Sequence, residues 1–264
     1  MSKLRDIWAG GGTALGAWLS IPSPESAEVV ARAGYDYVCI DMQHGLADYQ
    51  TALRMLQVIG LGDATPVVRV PWNEPGIIGR ALDAGAMAII IPMVNDVAAA
   101  ASAVAACRYA PAGSRSFGPT RAAMQEGRGY FDVANSEVAC IPMIETQEAM
   151  GNLDDILAVD GVDAVYVGPA DLSVSHGLPP GNNDDEPVFA DALTGIVEAC
   201  GRSGVVPGIH GTPGLAGRRR DAGFRMITVS TDMVALGGAL RKELQQAREG
   251  EEGGEAGSGG DRIY

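Results

Sequence analysis

The chain has 264 residues, enough for one large α/β barrel or one to two smaller domains with a substantial core. Hydrophobic residues make up 47% and charged residues 20%, as in ordinary globular proteins, while the net charge of −14 argues against nucleic acid and anionic membranes as partners. No apolar run approaches the roughly 18 residues of a membrane span, and "MSKLRDIWAGGG" lacks a hydrophobic signal region, so we expect neither export nor membrane insertion.

The numbers of cysteines and lysines restrict the chemistry further. Four cysteines occur without a C-x-x-C pair, and Cys39 and Cys140 lie inside apolar runs, so we interpret these two as core residues. We expect no zinc site and a reducing, cytoplasmic location. The two lysines, Lys3 and Lys242, lie near the ends of the chain. A mechanism that needs a lysine in the protein interior is therefore disfavoured.

Short apolar, β-branched runs recur along the chain, and a longer amphipathic, alanine-rich segment follows each of them. The runs are continuous rather than alternating, which is typical of parallel strands covered on both faces. The eight predicted strands are "TALGAWLS" (13–20), "YDYVCID" (35–41), "PVVRV" (66–70), "AMAIIIPMV" (86–94), "VACIPMIE" (138–145), "VDAVYVG" (162–168), "GVVPGI" (204–209) and "FRMITVS" (224–230).

The intervening segments carry helix signals. "SPESAEVVARAG" begins with Ser23 as an N-cap before Pro24 and closes on Gly34, and "NEPGIIGRALDAG" closes on Gly85 in the same way. Eight such β-then-α units predict a single-domain α/β protein, a (β/α)₈ or TIM barrel. A doubly wound sheet is the alternative, but no G-x-G-x-x-G follows the first strand.

The barrel is expected to span residues 13–248, after an N-terminal segment, 1–12. The final stretch, 249–264, is rich in Gly and Glu, and its low complexity predicts a disordered tail. Two connections are too long for simple turns, namely 109–137 and 177–187. We predict that both lie over the mouth of the barrel, at the carboxyl ends of the strands, where such enzymes carry their active sites.

Polar and charged side chains stand where several predicted strands end. Taken singly, each is accounted for by a helix cap or a loop hydrogen bond. Together they converge on one rim of the barrel, which favours a functional site. These residues are Asp41, Gln43 and His44 after the second strand, Arg69 in the third, Glu145 at the end of the fifth and Asp171 after the sixth.

Two of these carboxylates suggest a metal site. Glu145 and Asp171 come from neighbouring strands, and with no cysteine or clustered histidine they suit a hard ion such as Mg²⁺ or Mn²⁺. Arg69 carries a permanent charge suited to a carboxylate or an enolate oxygen. His44 is the candidate general base near neutral pH, and Asp41 is a candidate to orient it or its loop.

The other two histidines receive weaker assignments. His176, in "LSVSHG", is interpreted as the end of a short helical turn. His210 follows the seventh strand and therefore faces the same rim, where it is a candidate to line the substrate pocket.

Four stretches, taken in order, resemble one enzyme family and run from near residue 13 to near residue 240. They are similar to the HpcH/HpaI aldolases, metal-dependent class II pyruvate aldolases of the phosphoenolpyruvate/pyruvate barrel superfamily. The stretches are "GAWLSIPSPESAEVVARAGYDYVCIDMQHG", "RALDAGAMAIIIPMV", "MIETQEAMGNLDDILAVDGVDAVYVGPADLS" and "GTPGLAGRRRDAGFRMITVSTD".

The resemblance implies roles for the strand-end residues. Glu145 and Asp171 bind a divalent cation, Mg²⁺, Mn²⁺ or Co²⁺. Arg69 binds the oxo acid and steadies the enolate. His44 is the acid/base group, preceded by Asp41.

The resemblance also implies contacts beyond these residues. Gly168, Pro169 and Ala170 of "GP-x-DLS" contact the substrate, and Asp83 of "LD-x-G" approaches the catalytic histidine from an adjacent subunit. Family members are commonly hexamers, trimers of dimers that exchange their last helix. The stretch "MVALGGALRKELQQ" is therefore expected to pack on a partner in a homo-oligomer.

One position departs from the family pattern. Many family aldolases have a glutamine two residues before the metal-binding glutamate, where this chain has Met143. That glutamine helps to hold the pyruvate portion, so the contacts to the oxo acid are expected to differ here. Gln43 is a candidate to replace them.

The implied reaction is reversible cleavage of a 4-hydroxy-2-oxo acid to pyruvate and an aldehyde, through a metal-stabilised enolate. The scarcity of lysine independently disfavours a Schiff-base aldolase. Three alternatives stay open: an oxaloacetate decarboxylase on the same site, a CoA-thioester lyase, and a non-catalytic metabolite-binding barrel. A CoA lyase would need basic residues for the nucleotide, and the chain offers mainly Arg115, Arg121 and Arg128.

Overall fold

The computed structural model describes residues 3–127 and 129–252, and its centre is a closed barrel of eight parallel strands in chain order. The predicted (β/α)₈ barrel is confirmed, and every predicted strand overlaps an observed one. The strands are β1 (Ala14–Leu19), β2 (Tyr37–Asp41), β3 (Thr65–Arg69), β4 (Ala88–Ile91), β5 (Ala139–Ile144), β6 (Ala164–Val167), β7 (Val206–His210) and β8 (Met226–Thr231).

Side chains alternate along each strand between two separate cores. In β2, Tyr37 and Cys39 belong to the core inside the barrel, whereas Val38 and Ile40 pack outward against the helices. This two-residue period is the ordinary geometry of a strand. A residue two positions beyond an inward-facing one therefore also faces the lumen.

Helices surround the barrel, and several begin with a side-chain cap. The predicted N-cap Ser23 accepts a hydrogen bond from the backbone N–H of Ser26, and Asp48 and Asp96 cap two later helices in the same way. The helices are α1 (Lys3–Ala9), α2 (Pro24–Ala31), α3 (Tyr49–Ile59), α4 (Pro75–Asp83), α5 (Val97–Cys107), α6 (Thr120–Glu126), α7 (Tyr130–Glu137), α8 (Gln147–Gly151), α9 (Leu153–Leu157), α10 (Pro169–Ser175), α11 (Pro187–Ser203), α12 (Ala216–Ala222) and α13 (Asp232–Glu252).

The amino-terminal end of the barrel is closed by α1, which lies in the segment expected to precede the barrel. Leu4 is fully buried, and its N–H donates to Thr65 Oγ1 at 3.1 Å. Arg5 donates to the carbonyl of Val138 at 2.8 Å and pairs with Asp163. The end opposite the mouth is therefore plugged.

The connection 109–137 does not lie over the mouth, so that prediction was wrong. It contains α6 and α7, follows a helix and leads into β5, and such connections lie at the amino-terminal end of a parallel barrel. Arg121 of α6 donates to the carbonyls of Ala84 and Leu56, near the ends of two helices on that side. The extra length builds two helices there.

The last helix, α13, keeps much of its apolar side exposed. Met233, Leu236, Leu240 and Leu244 are each close to half exposed. The predicted tail begins at residue 249, but α13 continues to Glu252, and residues 253–264 lie outside the described part of the chain.

The cysteines are core residues, as the sequence analysis expected for Cys39 and Cys140. All four cysteines are buried and unpaired, with Cys39 inside the barrel and Cys140 between strands and helices. Among the helices that the structure describes, none combines the length and apolar character needed to cross a membrane.

Gly16 in β1 faces the ring of Tyr37 with no room for a side chain. A Cβ at this position would lie 2.1 Å from Tyr37 Cζ, and the Tyr37 hydroxyl is hydrogen-bonded to Thr228 Oγ1 at 2.9 Å. We expect Gly16→Ala to lower the free energy of unfolding by about 1–3 kcal/mol, as overpacked cores do, measured by denaturant titration.

Gly79→Ala is the matched control, because position 79 in α4 is surrounded by open space. This change should raise the free energy of unfolding by up to about 1 kcal/mol, since alanine is the better helix former. Equal stability of the two variants would contradict the tight contact at Gly16.

Candidate active site

Three charged residues continue the inward-facing rows of their strands. Asp41 follows the inward-facing Cys39 by two positions, and Arg69 follows Val67 in the same way. Glu145 extends the corresponding row of β5. The three side chains converge at the mouth and stay almost fully buried, with exposed fractions of 3%, 8% and 2% respectively.

Asp41 and Arg69 form a buried, two-pronged ion pair. Arg69 Nε donates to Asp41 Oδ1 at 2.8 Å, and Arg69 Nη2 donates to Asp41 Oδ2 at 2.6 Å. Asp41 also accepts hydrogen bonds from Trp18 Nε1 and from the backbone N–H of His44, each at 3.2 Å. Burial acts to raise the pKa of Asp41, but Arg69 and these hydrogen bonds outweigh it and lower the pKa. The carboxylate therefore stays ionised.

Glu145 is a buried carboxylate whose negative charge is only partly balanced by hydrogen bonds and nearby positive charge. Its Oε1 accepts the backbone N–H of Met93 at 2.8 Å, whereas Oε2 has no hydrogen-bond partner among the described residues. Burial is the main cause that raises the pKa of Glu145 to about 7, and the negative charge of Asp171 adds to it. The Met93 N–H and Arg69 act in the opposite direction. A nearby cation would stabilise the ionised form.

Gly168 lets the backbone before α10 pass close to the Glu145 carboxylate. Gly168 precedes α10 and has no side chain, and a Cβ there would lie 2.5 Å from Glu145 Oε2. Asp171, exposed in the first turn of α10, supplies a second carboxylate. Two carboxylates suit a hard divalent cation whose remaining positions are filled by water or substrate oxygens. Within the described residues, no group of three or more His, Cys, Asp or Glu side chains could hold a metal alone.

A cavity of about 320 Å³ opens at the mouth. Gly181 and Asn182 belong to the connection 177–187, so the prediction that this connection lies at the mouth is confirmed. The lining residues singled out as site candidates from the sequence are His44, Arg69, Gly168, Pro169, Ala170, Asp171 and His210. The further lining residues are Trp18, Met143, Tyr166, Gly181 and Asn182.

Some predicted site residues lie away from the cavity surface. Asp41 and Glu145 do not belong to its lining, and Gln43 Oε1 is buried with no hydrogen-bond partner in the described chain. Asp83, at the end of α4, pairs with Arg115 at 2.8 Å. The single chain does not bring Asp83 to His44, so its approach from an adjacent subunit stays a prediction.

An aromatic cluster of Trp18, Tyr166 and His210, which the sequence analysis did not foresee, forms part of the cavity wall. The Trp18 ring stacks on Tyr166 with centroids 5.6 Å apart and meets His210 edge-on at 5.1 Å. The guanidinium carbon of Arg69 lies 4.9 Å from the centre of the Trp18 ring. The sequence contained a signal for the position of Trp18, because this residue follows Gly16 by two positions in the inward-facing row of β1.

His210, at the end of β7, carries a neutral imidazole at neutral pH. Burial, followed by the positive charge of Arg69, lowers the pKa of His210 to about 4. Its Nδ1 lies 3.5 Å from the Tyr166 hydroxyl, and its Nε2 lies 3.5 Å from Thr231 Oγ1. His210 therefore offers hydrogen bonding without a charge of its own.

Charged side chains at the carboxyl ends of parallel barrel strands, beside a cavity at the mouth, are typical of an enzyme of the (β/α)₈-barrel class. A family comparison agrees with this class. The chain belongs to the HpcH/HpaI aldolase/citrate lyase family, whose model matches residues 14–237. The resemblance found in the sequence is thereby confirmed.

Similar proteins carry aldolase names. A hydroxypyruvate/pyruvate aldolase from Rhizorhabdus wittichii is 41% identical, covering 94% of this chain and 99% of that one. A 4-hydroxy-2-oxo-heptane-1,7-dioate aldolase from Salmonella paratyphi A is 37% identical, covering 98% of each. The crystal structure of an HpcH/HpaI family protein from Burkholderia cenocepacia has a TM-score of 0.87 and 36% identity, covering 94% of this chain and 100% of that one. The expectation of an aldolase is confirmed at this level.

The lowered pKa of His210 predicts a loss of stability in acid. The unfolded chain binds a proton at this histidine near pH 6.5 and the folded chain only near pH 4, so stability falls as the pH falls through that window. His210→Phe should remove this loss, at most about 3 kcal/mol, and flatten a plot of the free energy of unfolding against pH.

Glu145 acts with the opposite sign. Its pKa is raised from 4.5 to about 7, so its contribution to stability falls as the pH rises between these values. The effect of His210 must therefore be taken as the difference between variant and wild type at each pH. Parallel curves for the two proteins would contradict the assignment.

Proposed function

We propose that the protein is a divalent-metal-dependent aldolase that reversibly cleaves a 4-hydroxy-2-oxo acid into pyruvate and an aldehyde. The observation that carries this proposal is the cavity at the mouth of the barrel, where His44, Arg69 and Asp171 form part of the lining and Glu145 lies beside the lining residue Gly168. The aldolase names of the relatives support it.

Glu145 and Asp171 are the residues that would hold the cation. They follow neighbouring strands, and Glu145 Oε2 lies close to Gly168, three residues before Asp171. Burial without a full counter-charge, which raises the pKa of Glu145, is the situation that a bound cation relieves. When bound, Mg²⁺, Mn²⁺ or Co²⁺ supplies Lewis-acid polarisation of the 2-oxo group of the substrate.

Arg69 is suited to bind the oxo acid. Asp41 occupies its Nε and Nη2 groups, while Nη1 has no hydrogen-bond partner in the described chain. A guanidinium held in this way can donate to the substrate carboxylate or to the oxygen on which negative charge develops when the bond breaks. Because Asp41 and Trp18 already fix its position, little reorganisation is needed during the reaction.

His44 is suited to move the proton. It is exposed at the edge of the cavity, and its backbone N–H is held by Asp41 Oδ1. In cleavage, the imidazole takes the proton of the 4-hydroxyl group, the C3–C4 bond breaks, and its electron pair remains on C3 as pyruvate enolate. The imidazolium then protonates C3 to give pyruvate. In the reverse direction, the imidazolium returns that proton to the new hydroxyl group.

The positions of both lysines argue against a Schiff base. Lys3, in the helix that closes the opposite end of the barrel, pairs with Asp36 at 3.1 Å. Lys242 is exposed on α13. Neither lines the cavity, so neither can reach a bound oxo acid there.

The alternative reactions have less support. Arg115 pairs with Asp83, and Arg121 donates to the carbonyl of Ala84, away from the mouth, while Arg128 lies outside the described residues. Neither of these two described arginines lines the cavity of this chain, so they provide no site there for the nucleotide of a CoA thioester. The names of the relatives favour an aldolase over a decarboxylase or a non-catalytic barrel.

We further propose a homo-oligomer in which α13 packs on a second copy, as in a hexamer built from dimers that exchange the last helix. Met233, Leu236, Leu240 and Leu244 recur every three or four residues and form a half-exposed apolar stripe along α13. Packing on a partner would bury this stripe. The cytoplasmic location likewise stays a prediction.

Removal of the cation is expected to abolish aldol addition of pyruvate to an aldehyde. EDTA should stop the reaction and added Mn²⁺ should restore it, because the two carboxylates alone cannot polarise the substrate. Glu145→Gln should weaken Mn²⁺ binding in calorimetric titration by at least about a hundredfold. Glu148→Gln, exposed in α8, is the matched control and should bind Mn²⁺ normally.

Borohydride with pyruvate should leave the protein mass unchanged, and a covalent adduct would overturn the metal mechanism.

His44→Ala and Arg69→Ala are expected to separate catalysis from stability. Both should lower kcat at least about a hundredfold, since each removes a group that acts on the reacting atoms. His44 is exposed, so its variant should unfold like wild type, whereas Arg69→Ala leaves Asp41 buried and unpaired and should cost about 3–5 kcal/mol. His176→Gln, at the C-cap of α10, is the control histidine. A wild-type kcat in either alanine variant would remove its assigned role.

A further inference from the structure

The segment 177–186 between α10 and α11, here called the mouth loop, covers one side of the cavity and has no role in the mechanism above. Gly181 and Asn182 of this loop line the cavity. Beneath it, Ser173 Oγ donates to the carbonyl of Gly181 at 2.9 Å, and Asn183 Nδ2 donates to Ser173 Oγ at 2.8 Å. The loop is therefore tied to the helix that carries the proposed metal ligand.

A buried arginine outside the barrel fixes the tip of the mouth loop. Arg219 of α12 is 2% exposed, and its Nη2 donates to Asn182 Oδ1 at 2.9 Å and to Asp184 Oδ2 at 3.0 Å. An arginine side chain has donors and no acceptor. The Asn182 atom that faces Arg219 is therefore the amide oxygen, so the orientation of this amide is determined by its partner.

Asn182 is left with a free donor at the cavity. Its Nδ2 group has no hydrogen-bond partner among the described residues. The neutral imidazole of His210 and the hydroxyl of Tyr166 belong to the same cavity. Among the described lining residues, Arg69 is the permanent cation and is already held in an ion pair, while Asp171 is acidic. Apart from Arg69, the described lining residues thus offer hydrogen bonds without a permanent positive charge.

We propose that Asn182 is a specificity-determining residue whose Nδ2 group donates a hydrogen bond to a hydroxyl on the aldehyde half of the substrate. This inference rests on the proposed aldolase function and names the class of aldehyde, an uncharged 2-hydroxyaldehyde. Asn182 is exposed at the cavity, and an alkyl aldehyde would displace water from its donor without replacing the hydrogen bond. A semialdehyde with a second carboxylate would find no further permanent cation among the described lining residues, because Arg69 is assigned to the oxo acid. Arg219 is a positioning residue that acts through Asn182.

The test compares kcat/KM of the full-length enzyme with Mn²⁺ and pyruvate for three aldehydes. Glycolaldehyde carries the hydroxyl, propanal has a methyl group in its place, and succinate semialdehyde carries a carboxylate. Wild type should prefer glycolaldehyde to both others. Asn182→Leu, similar in size, should lower the glycolaldehyde-to-propanal ratio at least about fivefold, the effect of one net hydrogen bond, by slowing glycolaldehyde alone.

Two further variants separate specificity from general damage to the loop. Arg219→Lys keeps the charge opposite Asp184 but loses the fork that also holds Asn182. It should lower the same ratio, whereas a merely structural effect would slow both aldehydes equally. Asp185→Asn, exposed in the mouth loop, is the matched control and should leave the ratio unchanged.

The outcomes distinguish this inference from the proposed function. If Asn182→Leu keeps the wild-type ratio, or wild type prefers succinate semialdehyde to glycolaldehyde, the role of Asn182 is overturned while the aldolase function stands. If no aldehyde forms an adduct with pyruvate, the proposed function fails and the inference fails with it.

Discussion

The ion pair between Asp41 and Arg69 organises the mouth of the barrel. It joins the ends of β2 and β3, and Asp41 also holds the Trp18 indole of β1 and the backbone at His44. Removing two charges from water is costly, and such a pair need not stabilise the fold. Its consequence is geometric, because a guanidinium fixed on two of its nitrogens presents the third in a defined position at the cavity.

Glu145 is a second buried carboxylate at the same end of the barrel, and its pKa is shifted in the opposite direction from that of Asp41. Asp41 is fully compensated and its pKa is lowered, whereas burial raises the pKa of Glu145 to about 7. The N–H that reaches Glu145 comes from Met93, whose φ of 55° is strained for a residue with a side chain. Two carboxylates whose pKa values are pushed apart are typical of a functional site, with one structural and one available for a ligand.

The overall charge makes these local arrangements necessary. A chain with a net charge of −14 repels an anionic oxo acid at long range, so attraction must come from groups at the cavity itself. Arg69 is one such group, and a cation between Glu145 and Asp171 would be the other. The lining residues His210 and Asn182 add hydrogen-bonding groups without permanent charge. Recognition of an oxo acid and of an uncharged aldehyde can thus be divided between these two sets of groups.

Local sequence alone determined the eight strands, the barrel and the charged residues at strand ends, because continuous apolar runs and the two-residue period of a strand are local properties. The two-residue period also places Asp41, Arg69 and Glu145 in inward-facing rows. Length alone misassigned the connection 109–137, because it does not tell which end of the barrel a segment occupies. Only the tertiary structure decided the Asp41–Arg69 pair, the packing of Trp18 on His210 and the contact of Arg219 with Asn182. These contacts join distant parts of the chain, and the stagger of the closing strands sets which side chains lie at the same height.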